Sequence, residues 1–199
     1  MKKILGLVLV SFLLTAFAPM VSAEPPLMGK KAVFVIAEKY FQDDEFADPL
    51  AVLKHNGVEV TVASSTLSEV VGMKGMATTP DVLLKDVKAA DFDAVVFIGG
   101  SGAMQYINDP LAHQLAQDAV AGKKVVGAIC IAPRILAGAG VLTGKNATVF
   151  PTEGERLKEL GVNYTAKPVE QDGAIITADG PDSAKQFGEA LAAALEGGV

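Results

Sequence analysis

The sequence predicts an α/β fold in which a doubly wound, mostly parallel β-sheet is sandwiched between helices. From residue 31 onward, short β-branched runs alternate with amphipathic segments, which is the pattern of βαβ units. The runs at 32–37, 94–98 and 125–129 are apolar throughout apart from one glycine, as expected of strands buried on both faces. We find no internal repeat, linker or low-complexity segment, so the sequence predicts one domain.

In the first half of the chain, turn and capping residues separate the predicted elements. Asp43 or Asp44 begins a helix that Asn56-Gly57 closes. The proline in Thr79-Pro80-Asp81 fits the first position of a helix, where its missing N–H is not needed. The predicted order is strand 32–37, a helix from 43 or 44 to 56, strand 59–64, a small β excursion at 69–78, and a short helix that starts at 79–81.

The second half repeats this alternation and ends in a hairpin and a long helix. Strand 94–98 runs into Gly99-Gly100-Ser101-Gly102, and strand 125–129 runs into Cys130. Asp172-Gly173 is the turn expected in the hairpin. The other predictions are a helix through 111–119 that stops at Gly122, a helix at about 133–139, a strand at 147–150, a helix at 155–160, a hairpin that pairs 167–170 with 174–177, and a last helix from 181 to about 195.

The first 23 residues have the features of a secretion signal. Lys2 and Lys3 precede a largely apolar run at 4–18, and Val21-Ser22-Ala23 fits a cleavage site. The run is shorter than the ~20 residues that a membrane-spanning helix needs, which favours a cleaved signal over an uncleaved anchor. We therefore predict a signal peptide at 1–23, cut after Ala23, and a periplasmic or secreted single domain at 24–199.

The charge balance limits the partners of this protein. The chain carries a net charge of -6, and removing the two lysines of the leader makes the mature protein more acidic still. Nucleic acid and anionic membrane surfaces are therefore poor partners. We expect no nucleic-acid binding, and no membrane association once the signal is cleaved.

Cys130 is the only cysteine of the chain. An internal disulfide is thus excluded, and three roles stay open: a buried structural residue, a cross-link between chains, or a reactive thiol. In Ala128-Ile129-Cys130-Ile131-Ala132, an alanine stands two positions away on each side. A strand that turns sharply into a helix crowds those positions, so the spacing fits a nucleophile elbow with cysteine in place of serine. The N-terminus of the following helix would then favour the thiolate.

Two other segments follow predicted strands, at the edge of the sheet where α/β folds bind ligands. Gly99-Gly100-Ser101-Gly102 could bring backbone N–H groups close to a ligand, together with that of Ile131, or it could be a simple turn. Asp43-Asp44-Glu45 could cap a helix or supply a functional carboxyl. His55 and His113 fall on amphipathic helices, as solvated surface residues do, and we predict neither a metal site nor a cofactor.

Four motifs together resemble the DJ-1/PfpI family of the class I glutamine amidotransferase-like superfamily. They are Phe41-Gln42-Asp43-Asp44-Glu45, Phe97-Ile98-Gly99-Gly100, Ala128-Ile129-Cys130-Ile131-Ala132-Pro133, and Leu136-Ala137-Gly138-Ala139-Gly140-Val141-Leu142 with Gly144. The likeness extends over about residues 31–195 and implies a flavodoxin-like fold and a homodimer. It also implies that Cys130 is the elbow cysteine and that Glu45 is the acidic residue that reaches it. Gly100 and Ile131 would then supply the backbone donors.

The residue after the cysteine departs from the pattern of the protease-like and hydrolase-like members of this family, which usually carry histidine there. Ile131 can neither take a proton nor orient one, so peptidase activity is disfavoured unless a histidine arrives from elsewhere. Chemistry that needs a thiolate and one carboxyl survives this loss. A buried, neutral Glu45 could donate a hydrogen bond to the sulfur and transfer protons during a reaction.

Three functions follow from these residues. The first is a cysteine-dependent enzyme of the glyoxalase or deglycase kind, a hydrolase or lyase that acts on small reactive carbonyls through Cys130 and Glu45. The second is a non-enzymatic sensor in which Cys130 is oxidised. The third is a stress-protective binding or holdase-like protein in which the cysteine is incidental. The expected small-molecule partner is accordingly an electrophile or an oxidant.

Overall fold

The computed structural model describes residues 26–198, so the predicted signal peptide lies outside the described residues. The strands are β1 (Lys31–Val35), β2 (Glu59–Ser64), β3 (Val70–Val71), β4 (Ala77–Thr78), β5 (Val82–Leu83), β6 (Ala94–Phe97), β7 (Val125–Ile129), β8 (Asn146–Ala147), β9 (Asn163–Tyr164), β10 (Val169–Asp172) and β11 (Ile175–Ala178). The helices are α1 (Asp43–His55), α2 (Pro110–Ala121), α3 (Pro133–Gly138), α4 (Gly154–Glu159) and α5 (Ala184–Gly197). Within this part of the chain, no helix combines the length and apolarity needed to cross a bilayer.

A seven-stranded sheet forms the centre of the fold, in the order β10-β11-β7-β6-β1-β2-β5. All neighbouring strands pair in parallel except β10, which runs antiparallel to β11 at one edge. Buried side chains form a separate core on each face of the sheet, one beneath α2 and α3 and the other beneath α1 and α5. The predicted doubly wound sheet between helices is therefore confirmed.

Helix α5 lies close to β7 of the sheet and close to its neighbour α1. A Cβ atom placed on Gly127 of β7 would lie 2.9 Å from the side chains of Leu191 and Phe187 in α5. A Cβ atom on Gly188 of α5 would lie 2.8 Å from the Cα atom of Pro49 in α1. Glycine at these two positions lets α5 pack tightly against α1 and against β7, the strand that leads to Cys130.

The helix predicted from residue 79 is wrong, because this segment forms β5 at the edge of the sheet. Asp81 fixes it there: its N–H donates to the carbonyl oxygen of Val62, and its carboxylate accepts the N–H of Val62, each at 2.8 Å. A single 3-10 turn, Leu84–Asp86, follows the strand. The side chain of Asp81 thus directs the chain into the sheet, although the proline before it suits a helix.

Two further predictions differ from the structure in their bounds. The strand expected at 147–150 is the two-residue β8, which pairs with β9 in a small separate sheet. The hairpin is present, but β10 and β11 pair Asp172 with Ile175. The loop is therefore Gly173-Ala174, with Gly173 at φ +63°, rather than Asp172-Gly173.

Candidate active site

Cys130 follows β7 directly and stands in the left-handed backbone region, with φ +63°. That conformation is unfavourable for a residue with a side chain, so the surrounding structure must hold it in place. The N–H of Cys130 donates to the carbonyl oxygen of Ala178 at 2.9 Å, and its carbonyl oxygen accepts the N–H of Phe150 at 2.8 Å. Ala128 and Ala132, on either side, are fully buried. The sharp turn predicted from the alanine spacing is therefore present.

The backbone N–H groups of Gly100 and Ile131 lie beside the sulfur of Cys130, where each lowers the pKa of the thiol. Gly100 has φ +94°, and a Cβ atom there would lie 2.4 Å from the backbone nitrogen of Gln42. Glycine is therefore required at this position, both for its conformation and for space. Both residues thus lie beside the sulfur, as predicted. That their N–H groups stabilise an oxyanion remains a prediction.

Glu45 is completely buried in the first turn of α1, and neither oxygen of its carboxyl group makes a hydrogen bond with any described residue. A Cβ atom on Gly99 would lie 2.4 Å from Glu45 Oε2 and 2.6 Å from Cys130 Cβ. Both atoms are measured from the same point, so Glu45 Oε2 and Cys130 Cβ lie at most about 5 Å apart. The structure brings together the two side chains that the resemblance pairs.

Burial is the main influence on the protonation of Glu45. It raises the pKa of this carboxyl to about 8. The thiol of Cys130 and the N–H of Gly99 approach closely enough to favour the charged form, but they offset only part of this effect. The charges of Asp44 and Asp179 raise the pKa further. Glu45 is therefore neutral at pH 7, as the sequence analysis expects.

The thiol of Cys130 behaves differently from the expectation. Burial and the nearby negative charge of ionised Glu45 raise its pKa to about 12, and the N–H groups of Gly100 and Ile131 offset only part of that rise. The N–H groups at the turn do favour the thiolate, as expected, but burial outweighs them, so the resting thiol keeps its proton at pH 7. Since the side chain is only 7% exposed, water does little to stabilise a charge there. The resting pair is a neutral thiol beside a neutral carboxyl.

The three acidic residues that begin α1 have three separate roles. Asp43, which is 4% exposed, accepts the backbone N–H groups of Lys74 and Met76 at 2.8 and 2.7 Å and thereby fixes the β3–β4 hairpin. Asp44 forms an ion pair with the side chain of Lys74. The helix begins at Asp43, as predicted. Its cap is Gln42, whose side chain accepts the N–H of Asp44 at 2.7 Å, so the alternative that Asp43-Asp44-Glu45 caps the helix is wrong.

The histidines lie outside the Cys130 site. His55 is exposed at the end of α1, as predicted. His113 is half-buried and its Nε2 atom lies 2.7 Å from the carbonyl oxygen of Ile107, so its assignment as a solvated surface residue is wrong. Within residues 26–198, no group of three or more His, Cys, Asp and Glu side chains is arranged to hold a metal ion.

Sequence reasoning overlooked two residues beside the elbow. Phe150 and Asp179 both line an open cavity next to the backbone of Cys130. Asp179 directly follows β11, so the rule that draws attention to residues after buried strands could have found it. Phe150 ends the predicted strand at 147–150 and could have been found in the same way. Neither has a motif of its own.

The fold and the site together define a class of protein. It is an α/β protein of the flavodoxin-like kind, with a cysteine at the turn after a central strand and a buried carboxyl beside it. The sequence profile of the DJ-1/PfpI family matches residues 30–194. The chain belongs to this family.

Several relatives align over most of their own length. An uncharacterised protein from Methanocaldococcus jannaschii is 40% identical over 85% of this chain and 84% of its own. A glutathione-independent glyoxalase from Caenorhabditis elegans is 30% identical over 84% of this chain and 90% of its own. A deglycase from Pyrococcus abyssi is 31% identical over 71% of this chain and 85% of its own.

A solved structure supports the same grouping. The ThiJ/PfpI domain protein from Brachyspira murdochii superimposes with a TM-score of 0.82 at 30% sequence identity. The match covers 85% of this chain and 99% of that protein. The two proteins therefore share the fold of the whole domain.

Proposed function

We propose that this protein is a cysteine-dependent enzyme that acts on small reactive carbonyl compounds, as a glyoxalase-like or deglycase-like hydrolase or lyase. The observation that carries the proposal is Glu45, a buried carboxyl whose oxygens lack hydrogen-bond partners among the described residues and which lies against the only thiol of the chain. An unsatisfied buried acid costs stability, so its presence favours a chemical role. The glyoxalase and the deglycase among the relatives support the same class of substrate.

The neutral pair suits the addition of a thiol to a carbonyl group. In this step a C–S bond forms between Cys130 and the carbonyl carbon while the π-electron pair moves to the carbonyl oxygen. Glu45 gives its proton to that oxygen and takes the proton of the thiol, so the carboxyl is regenerated and no net charge appears in the buried site. The N–H groups of Gly100 and Ile131 would stabilise the oxygen while it carries partial negative charge.

Replacement of the nucleophile tests this function. We expect Cys130→Ser and Cys130→Ala to lower the rate of hydroxy-acid formation from methylglyoxal by at least about a hundredfold, because no thiol is left to add to the aldehyde carbon. Intact folding of both variants is checked by circular dichroism. Full activity of Cys130→Ser would refute the proposal.

Oxidation sensing is the second candidate, and the backbone donors favour it. The N–H groups of Gly100 and Ile131 beside the sulfur could hold the oxygens of an oxidised cysteine. The raised pKa of the thiol opposes it, because the thiolate is the form that attacks peroxide. Stable gain of two oxygens at Cys130 after mild peroxide, without turnover of any carbonyl compound, would establish the sensor in place of the enzyme.

We also propose that the chain is exported and that its leader is removed. The basic, apolar and small-residue segments of residues 1–23 support this proposal. Mass spectrometry of protein isolated from its source cells should give a mature chain that begins at Glu24. A chain that retains Met1 would contradict it.

A further inference from the structure

An open cavity of about 520 Å³ lies beside the elbow. One wall is Phe150, whose N–H donates to the carbonyl oxygen of Cys130. A second wall is the loop that begins at Asp179, directly after Ala178, which accepts the N–H of Cys130. Cys130 does not itself line the cavity, but one lining residue is bonded to its backbone and another directly follows a residue that is. A substrate of three carbons would leave most of this volume empty, so the cavity has room for a larger group joined to the reacting carbonyl.

The charge of the cavity is negative. Asp179 and Asp182 both line it, and no lysine or arginine is among the described residues that do. The hydroxyl of Ser183 donates to Asp179 at 2.6 Å, which orients this carboxylate without neutralising it. Three basic side chains nearby are paired with acidic groups: Lys74 with Asp44, Arg134 with Glu153 at 2.8 Å, and Lys167 with Glu170 at 2.9 Å.

The same cavity has an aromatic wall. The side chain of Phe150 is 37% exposed. A Cβ atom on Gly180 would lie 3.6 Å from this ring, so the glycine leaves space in front of it. A cation between an aromatic ring and carboxylates is attracted by both, and an anion is repelled by both. These features match a protonated amine or a guanidinium group.

We propose that this cavity is a subsite for a cationic group of the substrate. Cys130 then acts preferentially on carbonyl compounds that carry a protonated amine or a guanidinium, and it discriminates against those that carry a carboxylate or a phosphate. The proposal rests on the proposed function for the reaction itself. Selection by charge at the cavity is a separate property that can be measured without turnover.

A series of thiol reagents of different charge tests the selection. Methanethiosulfonates with a trimethylammonium, a neutral methyl or a sulfonate group each form a disulfide with a thiol and release methanesulfinate. Their rates of reaction with Cys130 are followed by intact mass and divided by their rates with a small free thiol. We expect the cationic reagent to react at least about tenfold faster than the anionic one, and the ratio to fall in high salt because surface charges are screened.

The variants identify the residues responsible. Asp179→Asn, which retains an acceptor for Ser183, and Asp182→Asn, at an exposed position, should each reduce the cation-to-anion ratio by about fivefold, as expected for one unit charge within several ångströms of the probe. Asp86→Asn is the matched control. Asp86 is exposed, pairs with Lys85 and does not line the cavity, so its loss should leave the ratio unchanged.

Equal normalised rates for the three reagents would overturn the subsite, and so would a ratio that neither aspartate variant changes. The outcome is separable from that of the proposed function. If methylglyoxal turnover depends on Cys130 while the reagents react equally, the subsite alone is wrong. If the reagents show the charge preference but turnover survives Cys130→Ser, the proposed reaction is wrong, and the cavity discriminates by charge without serving that reaction.

Discussion

Asp43 and Glu45 stand two positions apart in the first turn of α1, and both carboxyl groups are buried. Asp43 accepts two backbone N–H groups from the β3–β4 hairpin. Glu45 has no hydrogen-bond partner among the residues that the structure describes, and it faces Cys130. The same helical turn thus holds the carboxylate of Asp43, which stabilises the fold, and the carboxyl group of Glu45, which destabilises it.

The difference between the two shows how burial can serve either stability or chemistry. A buried carboxylate with two backbone donors keeps its charge satisfied and fastens a distant segment to the helix. A buried carboxyl without donors avoids the cost of an unsatisfied charge by holding its proton. That retained proton is what an acid catalyst needs at neutral pH.

Glu45→Gln should give the largest effect, a loss of at least about a hundredfold in kcat/KM for methylglyoxal. Glutamine has nearly the same shape and can still donate a hydrogen bond, but it cannot transfer a proton. Steady-state kinetics at pH 7 provide the measurement, with Asp43→Asn as the matched amide variant in the same helical turn. If both variants retain the same activity, Glu45 does not transfer a proton in the reaction.

The same variant should change how stability depends on pH. The folded-state pKa of Glu45 is raised from 4.5 to about 8, so between these values the unfolded chain releases a proton that the folded chain retains. The wild-type free energy of unfolding should therefore fall by a few kcal/mol as pH rises through this window, since each pKa unit corresponds to about 1.4 kcal/mol.

Glu45→Gln should remove this decrease of the free energy of unfolding with rising pH. At pH 8 the variant should therefore be more stable than the wild-type protein. Urea titrations at pH 5, 6.5 and 8 give the comparison. The thiol of Cys130, whose ordinary pKa is about 8.5, begins to ionise in the unfolded chain near pH 8, but it is present in both proteins and cancels in the difference between them. Parallel pH profiles for wild type and variant would show that Glu45 keeps an ordinary pKa in the folded protein.

Asp43→Ala should act in the opposite direction and destabilise the fold by about 2 kcal/mol, because the N–H groups of Lys74 and Met76 lose their acceptor. Gly72 is packed against this carboxylate, so the small cavity that the variant creates adds to the loss. Urea unfolding measures the cost, and limited proteolysis between residues 72 and 76 reports whether the hairpin is released. An unchanged cleavage rate would mean that other contacts hold it.

Much of the fold could be predicted because it depends on patterns that are local in sequence. The apolar runs identify the buried strands, and the alanines around Cys130 identify the turn at which the thiol is presented. The pairing of Glu45 with Cys130 came from the family resemblance alone. Nothing in the spacing of Asp43-Asp44-Glu45 says which carboxyl points toward a residue 85 positions away.

The features that sequence reasoning missed depend on contacts between distant segments. The segment at Asp81 forms β5 and not the expected helix, because Asp81 makes hydrogen bonds to Val62, which lies 19 positions earlier in the chain. The role of Asp43 depends on amides about 30 residues further along the chain. The cavity beside the elbow is assembled from segments near residues 150 and 180. The hydrophobic periodicity of a sequence does not reveal contacts between such distant segments.

The tight contacts at Gly99 and Gly100 have a consequence for protein engineering. A methyl group at either position would lie within 2.7 Å of several atoms, including Glu45 Oε2 at Gly99 and the backbone of residues 40–42 at Gly100. A mutagenesis library directed at these glycines would therefore yield mostly misfolded protein. Phe150, Asp182 and Gln186 line the neighbouring cavity with exposed side chains, so they can be varied to redesign the proposed substrate preference without disturbing the turn that presents the thiol.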